Sequence, residues 1–416
     1  MPSTQTAEQE KSPGKARKSC FTSYALLAGL LIVGTNALAM ATLKPDPIES
    51  PNRCWAYWAA KDWKTWQSAE EKTQKPDFAF FGSSLMVAVV NDGDSTYLKK
   101  PFDAVKHHRS LYFENYAGKV LGKPVTTHSF AIGGQMASDA AALFATLPAK
   151  ESARPTLIWG VAPRDLIDAS FSDPASTETV RYLDKVAYPN DALPESKRVW
   201  KRLERVIEQA FHIYGSRADF QCILRNIEEK LLTATLGTSF EQIKIPQPLL
   251  KIAMAEQPEE NFPGQWQVTP YSMKAAENAL WVDNSKEYRM RYQPFKPKIF
   301  ANQSKYMEKF LSLAKQKGFR VVVVNMPLCT ENTSLLPDGV YDKFVGRVKE
   351  LAQNNGAAFL DCNRSGLFNR ADFCDPVHLH GPGGQKLLRV IADSIAQTSS
   401  VAEKASADSL KSNVLQ

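Results

Sequence analysis

Two short segments near opposite ends of the chain carry residues that together suit nucleophilic chemistry. In Phe81-Gly82-Ser83-Ser84-Leu85-Met86 a serine stands where an apolar run gives way to helical sequence. A hydroxyl at such a turn is exposed, with helix N–H groups nearby to hold an anion. The same placement suits a helix N-cap, a common use of serine. In Asp375-Pro376-Val377-His378-Leu379-His380-Gly381-Pro382-Gly383-Gly384 a carboxylate precedes a histidine by three positions. Such a carboxylate fixes the imidazole tautomer and stabilises its cation, which is what a base serving a serine needs. Of the six histidines, His107, His108 and His212 fall in polar, helix-like settings and His128 falls within a strand. His378 is therefore the expected base, Asp375 its orienting acid and Ser84 the nucleophile; Ser83 replaces it if the turn shifts by one residue.

Two further segments complete the candidate constellation. Ala131-Ile132-Gly133-Gly134-Gln135 places a glycine pair after an apolar run, where a backbone N–H can face a ligand or simply make a turn. Gly160-Val161-Ala162-Pro163-Arg164-Asp165-Leu166 follows another such run and offers a guanidinium, or an ordinary Arg–Asp surface pair. The elements that must position these residues are short apolar runs at 77–81, 125–132, 156–159, 319–325 and 357–361, each followed by helical sequence. Four successive valines at 321–324 suit a strand buried on both faces. The alternation predicts an α/β fold, a five-stranded parallel sheet covered by helices. In such a sheet ligands bind outside the carboxyl ends of the strands, where all four segments lie.

In their order along the chain these four blocks resemble the SGNH/GDSL hydrolase superfamily. FFGSSLM is similar to its nucleophile block with Ser84 in the serine position, AIGGQMASD to its glycine block, and DPVHLHGPGG to its Asp-x-x-His-Leu block. GVAPRDL falls where the family has Gly-x-Asn-Asp. The resemblance covers roughly residues 76–180 and 307–396 and implies a flavodoxin-like three-layer α/β/α domain. It also implies a Ser84–His378–Asp375 triad and an oxyanion hole from Ser84, Gly134 and Arg164, with no metal or organic cofactor. Two departures stand out: Ser83 replaces the usual aspartate, and Arg164 replaces an asparagine whose side chain normally completes the oxyanion hole. A guanidinium can donate there, bind a substrate carboxylate or phosphate, or mark a hole that has been lost.

The N-terminus sets the compartment. Residues 21–43 carry no charge, longer than the ~20 residues that cross a bilayer core. Lys11, Lys15, Arg17 and Lys18 precede them, which leaves the N-terminus in the cytoplasm and the rest outside, in a periplasm-like space. A cleaved signal peptide competes with this signal-anchor reading, since Ala37-Leu38-Ala39 and Ala39-Met40-Ala41 are small-residue cleavage patterns. The anchor, the four blocks and Asn325-Met326-Pro327-Leu328 on the fourth strand together resemble bacterial envelope proteins of the DltD and AlgJ/AlgX type, and most of all the membrane-anchored SGNH-like proteins of unassigned role in the DUF1574 group. That likeness implies an esterase or O-acyltransferase acting on acylated envelope polysaccharide or glycolipid, beside a membrane-bound O-acyltransferase. The alternative is a non-catalytic assembly or glycan-binding protein that keeps the fold.

Composition sets the remaining bounds. With 44% hydrophobic and 23% charged residues among 416, a wholly disordered or fibrous chain is excluded. The net charge of +7 is spread along the chain, and beyond the N-terminus there is no basic stretch of the kind a nucleic-acid binder carries. The expected layout is a cytoplasmic tail (1–20), an anchor (21–43), a stalk (44–75), the first part of the α/β domain (76–181), a large mainly helical insertion (182–306), its second part (307–396) and a disordered tail (397–416). Within the insertion Trp200, Leu203, Val206, Ile207 and Phe211 recur at helical spacing, with Lys201, Arg202, Glu204 and Arg205 on the other side. Of the six cysteines none shows CxxC spacing; Cys362 and Cys374 bracket a loop and are the pair an oxidising compartment would bridge.

Overall fold

The computed structural model describes residues 17–42, 76–100, 107–146, 154–170, 211–215 and 281–414, with scattered positions at 102 and between 174 and 210. The chain divides into two compact units, one of residues 1–52 and 197–246, the other of 53–196 and 247–416. In the first, helix α1 (Arg17–Thr42) contains one apolar span, Tyr24–Ala41, long enough by composition and length to cross a bilayer. Most of the expected insertion and the whole stalk lie outside the described residues.

The second unit is an α/β domain. Its strands are β1 (Phe78–Phe81), β2 (Thr127–Ser129), β3 (Thr156–Val161), β4 (Val321–Asn325) and β5 (Ala358–Asp361), paired in the order β2-β1-β3-β4-β5 and all parallel. All five expected strands form; four are shorter than expected by one to five residues, and β3 runs two residues past its expected end. Helices α2 (Ser84–Leu98), α3 (Leu111–Leu121), α4 (Ala137–Thr146) and α5 (Arg164–Ile167) follow the first three strands in turn, while α6 (His212–Gly215) belongs to the first unit. Beyond it come α7 (Ser285–Tyr292), α8 (Pro297–Gln316), α9 (Thr330–Thr333), α10 (Val340–Asn354) and α11 (Gly381–Val414).

Alternation along β1 sorts the helices onto two faces. Phe80 meets Phe113 of α3 edge-on at 5.2 Å, whereas its neighbour Phe81 meets Phe144 of α4 at 6.1 Å and Phe310 of α8 at 5.1 Å. Successive strand residues point to opposite faces, so helices cover both sides. β1, β3 and β4 are almost wholly buried, which explains their continuous aromatic and valine runs. In this strand order the chain reverses direction between β1 and β3, opening a crevice at their carboxyl ends. Ser84 follows β1 and Arg164 follows β3, so both stand at that crevice.

Two expectations about boundaries are corrected. Residues 285–306, assigned to the insertion, form α7 and the start of α8, whose Tyr292, Phe300 and Ile299 are buried against the sheet domain. The tail from Gln397, expected to be disordered, continues α11 as helix to Val414. It contains neither glycine nor proline, so nothing in it interrupts the helix.

Candidate active site

The turn after β1 is built to expose one serine and bury the other. Gly82 adopts a φ of +147°, and a Cβ there would lie 2.8 Å from the Gly160 carbonyl oxygen. Its N–H donates to Gln135 Oε1 at 2.9 Å and its carbonyl accepts from Ile132 N–H at 2.9 Å, which ties this turn to the glycine segment after β2. Ser83 is the N-cap residue, extended in backbone, and its carbonyl accepts from Met86 and Val87 N–H. Its hydroxyl makes no cap bond and is buried beside the Asp165 carboxyl. Ser84, the first helical residue, is only half-buried. The shifted-turn alternative thus fails on burial: Ser83 does not face the crevice.

His378 comes from a loop that its own acid folds. Asp375 Oδ1 accepts from the N–H groups of Val377 at 2.8 Å and His378 at 2.7 Å, while Oδ2 lies 2.7 Å from His378 Nδ1. The loop is closed by an antiparallel bridge between Phe373 and Leu379 and by Cys374 N–H donating to the His378 carbonyl at 3.0 Å. Cys329 N–H donates to the Pro376 carbonyl from the β4 side. With Nδ1–H donated to the carboxylate, Nε2 is left to accept, and it lies 2.9 Å from Ser84 Oγ. A span of 294 sequence positions is closed by one hydrogen bond.

The electrostatics fit this chain of bonds. Burial by itself would lower the His378 pKa, but the charge and hydrogen bond of Asp375, helped by Asp92 and Glu287, raise it above the ordinary value. Burial would raise the Asp375 carboxyl, yet His378 and the two backbone N–H donors hold it below the usual carboxylate range.

Gly134 sits in the left-handed region at a φ of +78°. Among the described residues neither the Gly134 N–H nor the Ser84 N–H donates to another group. Arg164 is buried, with Nη2 3.6 Å from where a Gly134 Cβ would stand. It is not loose: Nε donates to Asp168 Oδ2 at 3.0 Å and Nη1 to the Gln135 carbonyl at 3.3 Å. Asp168 also accepts from Arg291 of α7 at 2.6 Å. The guanidinium therefore flanks the glycine turn and braces it.

Several residues of the site escaped the sequence. Asp92, two turns along α2 from Ser84, is a buried carboxyl whose pKa is pushed up to about 8, by burial first and with Asp375 adding to it, while His378 opposes. The only available signal was the polar run Asn91-Asp92-Gly93-Asp94 inside an apolar helix. Tyr288 of α7 is buried within electrostatic range of Arg164 and Asp375, and its hydroxyl makes no hydrogen bond among the described residues. It lies in a proline- and tyrosine-rich stretch without period. His108, expected in a polar setting, is buried and stacked on His128 at 5.5 Å, and burial pushes it down to about 3. A cleft of about 440 Å³ lined by Cys329, Glu331, Phe368, Arg370 and Phe373 lies along the loop that carries Asp375.

The expected Cys362–Cys374 bridge is not formed: both thiols are free and buried. Cys362 sits just past β5, its N–H bonded to the Asn325 carbonyl, whereas the Cys374 thiol donates to the His378 carbonyl at 3.4 Å, inside the histidine loop. Each is fixed by a different partner. Among the described residues no group of three or more His, Cys, Asp or Glu is arranged to hold a metal ion. No protein-family model and no curated protein matches the chain. The functional reading therefore stands on the geometry.

Proposed function

We propose that the chain is an SGNH-like serine ester hydrolase or O-acyltransferase, anchored by α1 with its α/β domain outside the cytoplasm. The observation that carries this reading is the unbroken relay from Ser84 Oγ to His378 Nε2 at 2.9 Å and from His378 Nδ1 to Asp375 Oδ2 at 2.7 Å. Separations in this range are those of a nucleophile and its base. Ser84 Oγ attacks the carbonyl carbon of an acyl ester as His378 Nε2 takes its proton. The tetrahedral oxyanion is held by the Ser84 and Gly134 N–H groups, with Arg164 supplying positive charge behind Gly134; one such donor is typically worth about 10²–10³ in rate. Collapse returns the proton from Nε2 to the leaving alcohol and leaves the acyl group on Ser84. Water or a sugar hydroxyl, deprotonated by the same nitrogen, then releases it as acid or as new ester.

A membrane-tethered position favours acyl groups on envelope polysaccharide or glycolipid, with a membrane-bound O-acyltransferase as the natural neighbour. The test is labelling of the full-length chain in detergent with a fluorophosphonate probe. Wild type and Ser83→Ala are expected to label, and Ser84→Ala and His378→Ala are expected to fail. Absence of label on folded wild type would overturn the reading in favour of a non-catalytic envelope protein.

A further inference from the structure

The apolar span of α1 contains two adjacent polar residues that are satisfied in different ways. Thr35 Oγ1 bonds back to the Leu31 carbonyl at 2.6 Å, so its own helix accounts for it. Asn36 reaches outside: its Nδ2 donates to the Ala210 carbonyl at 3.2 Å and its Oδ1 accepts from Ile213 N–H at 3.5 Å. These two backbone groups are the ones a helix break strands. Helical structure at Ala210 is interrupted at Phe211 and resumes in α6, so Ala210 C=O and Ile213 N–H are helix-end groups. One carboxamide pairs with both. Ala39, one turn further along α1, is the one buried residue of the span. The face carrying Asn36 and Ala39 is therefore covered, within the unit formed by residues 1–52 and 197–246.

The covering segment presents apolar side chains outward. Leu203 (44%), Val206 (59%), Phe211, Ile213 (44%) and Tyr214 are exposed, as are Leu38 and Met40, which follow Asn36 closely in α1. Asn36 stands six residues before the end of α1, about 9 Å along the axis at 1.5 Å per residue. Measured from the end of the apolar span at Ala41 it is about 7.5 Å, inside the apolar layer and within the ~5–10 Å that an interfacial segment buries. In sequence the apolar positions alternate with Lys201, Arg202, Glu204 and Arg205, a mostly basic complement such as interfacial helices carry.

We infer that Leu203, Val206, Phe211, Ile213 and Tyr214 form a second membrane contact, an interfacial face seated in the lipid layer at the C-terminal end of α1 and pinned there by Asn36. An unpaired amide or backbone end at this depth is costly, and the pairing removes that cost for both partners. Lipid fits the exposed face because it is continuous with the apolar surface of α1. The inference rests on α1 being a bilayer anchor, and its test separates the two.

An environment-sensitive fluorescent amino acid is placed by codon suppression at Ile32, Ile213 or Tyr97 of the full-length chain, in nanodiscs of acyl-brominated phosphatidylcholine. Ile32 reports on α1, and Tyr97 is an exposed position on α2 in the other unit. The expected result is loss of emission at 32 and 213 and none at 97. An unquenched label at 32 overturns the anchor itself; quenching at 32 without quenching at 213 overturns this inference alone. Asn36→Leu is expected to weaken quenching at 213 while leaving 32 unchanged, and full quenching at 213 in that variant would remove the pin.

Discussion

His378 stands in the field of two carboxylates with opposite roles. Asp375 is hydrogen-bonded to it and kept ionised; Asp92 has no hydrogen bond among the described residues and is driven towards its neutral form by burial. A serine base works only when neutral, and the His378 pKa is raised. Activity should therefore fall as pH drops, with the acidic limb of kcat/KM above the ~6.5 of a free histidine. Asp375→Asn should move that limb down and cut kcat by about 10⁴; a pH-rate profile on an activated ester reads both. The signs for stability differ by group. The raised His378 contributes stability that is present at low pH and lost as pH rises through its folded value. The depressed Asp375 contributes stability that is present above its unfolded value and lost as pH falls through its folded one. Asp92 opposes folding: between its ordinary pKa of 3.8 and about 8 the folded state must carry a proton that the unfolded state releases. Asp92→Asn is thus expected to stabilise the protein at pH 7 by a few kcal/mol and to lose that gain near pH 4. Urea unfolding at the two pH values decides it, and an equal effect at both would count against a buried carboxyl.

Helix packing sets the distance between Ser84 and His378. α11 begins three residues after His378 and lies along α2, which begins with Ser84. At Gly384 a Cβ would come 2.8 Å from the Val89 carbonyl oxygen, a backbone atom that cannot swing aside. At Gly93, on the α2 side of the same contact, the nearest atoms to a Cβ lie at 3.6 Å, ordinary van der Waals distance. Gly384→Ala should push the helices apart at a cost of about 1–3 kcal/mol and lower kcat by about 10², since a shift near 1 Å at the reacting atoms has that effect. Gly93→Ala should leave kcat unchanged and stabilise α2 by up to about 1 kcal/mol. Melting curves beside turnover of both variants test the pair, and equal behaviour would show that glycine spacing does not set the register. The sequence displayed this glycine run but not its reason, because a close approach between helices is invisible until both are placed. The strands were legible because burial on both faces selects uninterrupted Phe and Val runs, and the histidine loop because its acid and base lie three residues apart. α7 was not: its charged sequence Ser-Lys-Glu-Tyr-Arg-Met-Arg-Tyr has no amphipathic stripe, and Arg291 earns its place through a bond to Asp168, far along the chain.

At the scale of the molecule, the crevice at the carboxyl ends of β1 and β3 collects segments that the chain keeps far apart, and the thiols show how tightly they are packed. Cys329 follows β4, Cys362 follows β5 and Cys374 lies in the histidine loop, and all three are buried. Burial pushes the Cys329 and Cys362 thiols up to about 12 and Cys374 higher still, with Asp375 and Asp92 adding to the last. Only thiolate reacts at a useful rate, and at pH 8 a thiol with a pKa of 12 is ionised about once in 10⁴. The sequence suggested a bridge because a domain expected to be exported would meet an oxidising compartment. In the structure both stay free, the Cys374 thiol donating to the His378 carbonyl and the Cys362 N–H to the Asn325 carbonyl of β4. Native protein treated with iodoacetamide should therefore leave all three unmodified in peptide mass spectra, and brief denaturation should expose all three together, since they belong to one packed body. Modification of Cys374 alone in native protein would show that the histidine loop opens on its own, and activity should then fall in step with the label, because the same loop aims His378 at Ser84.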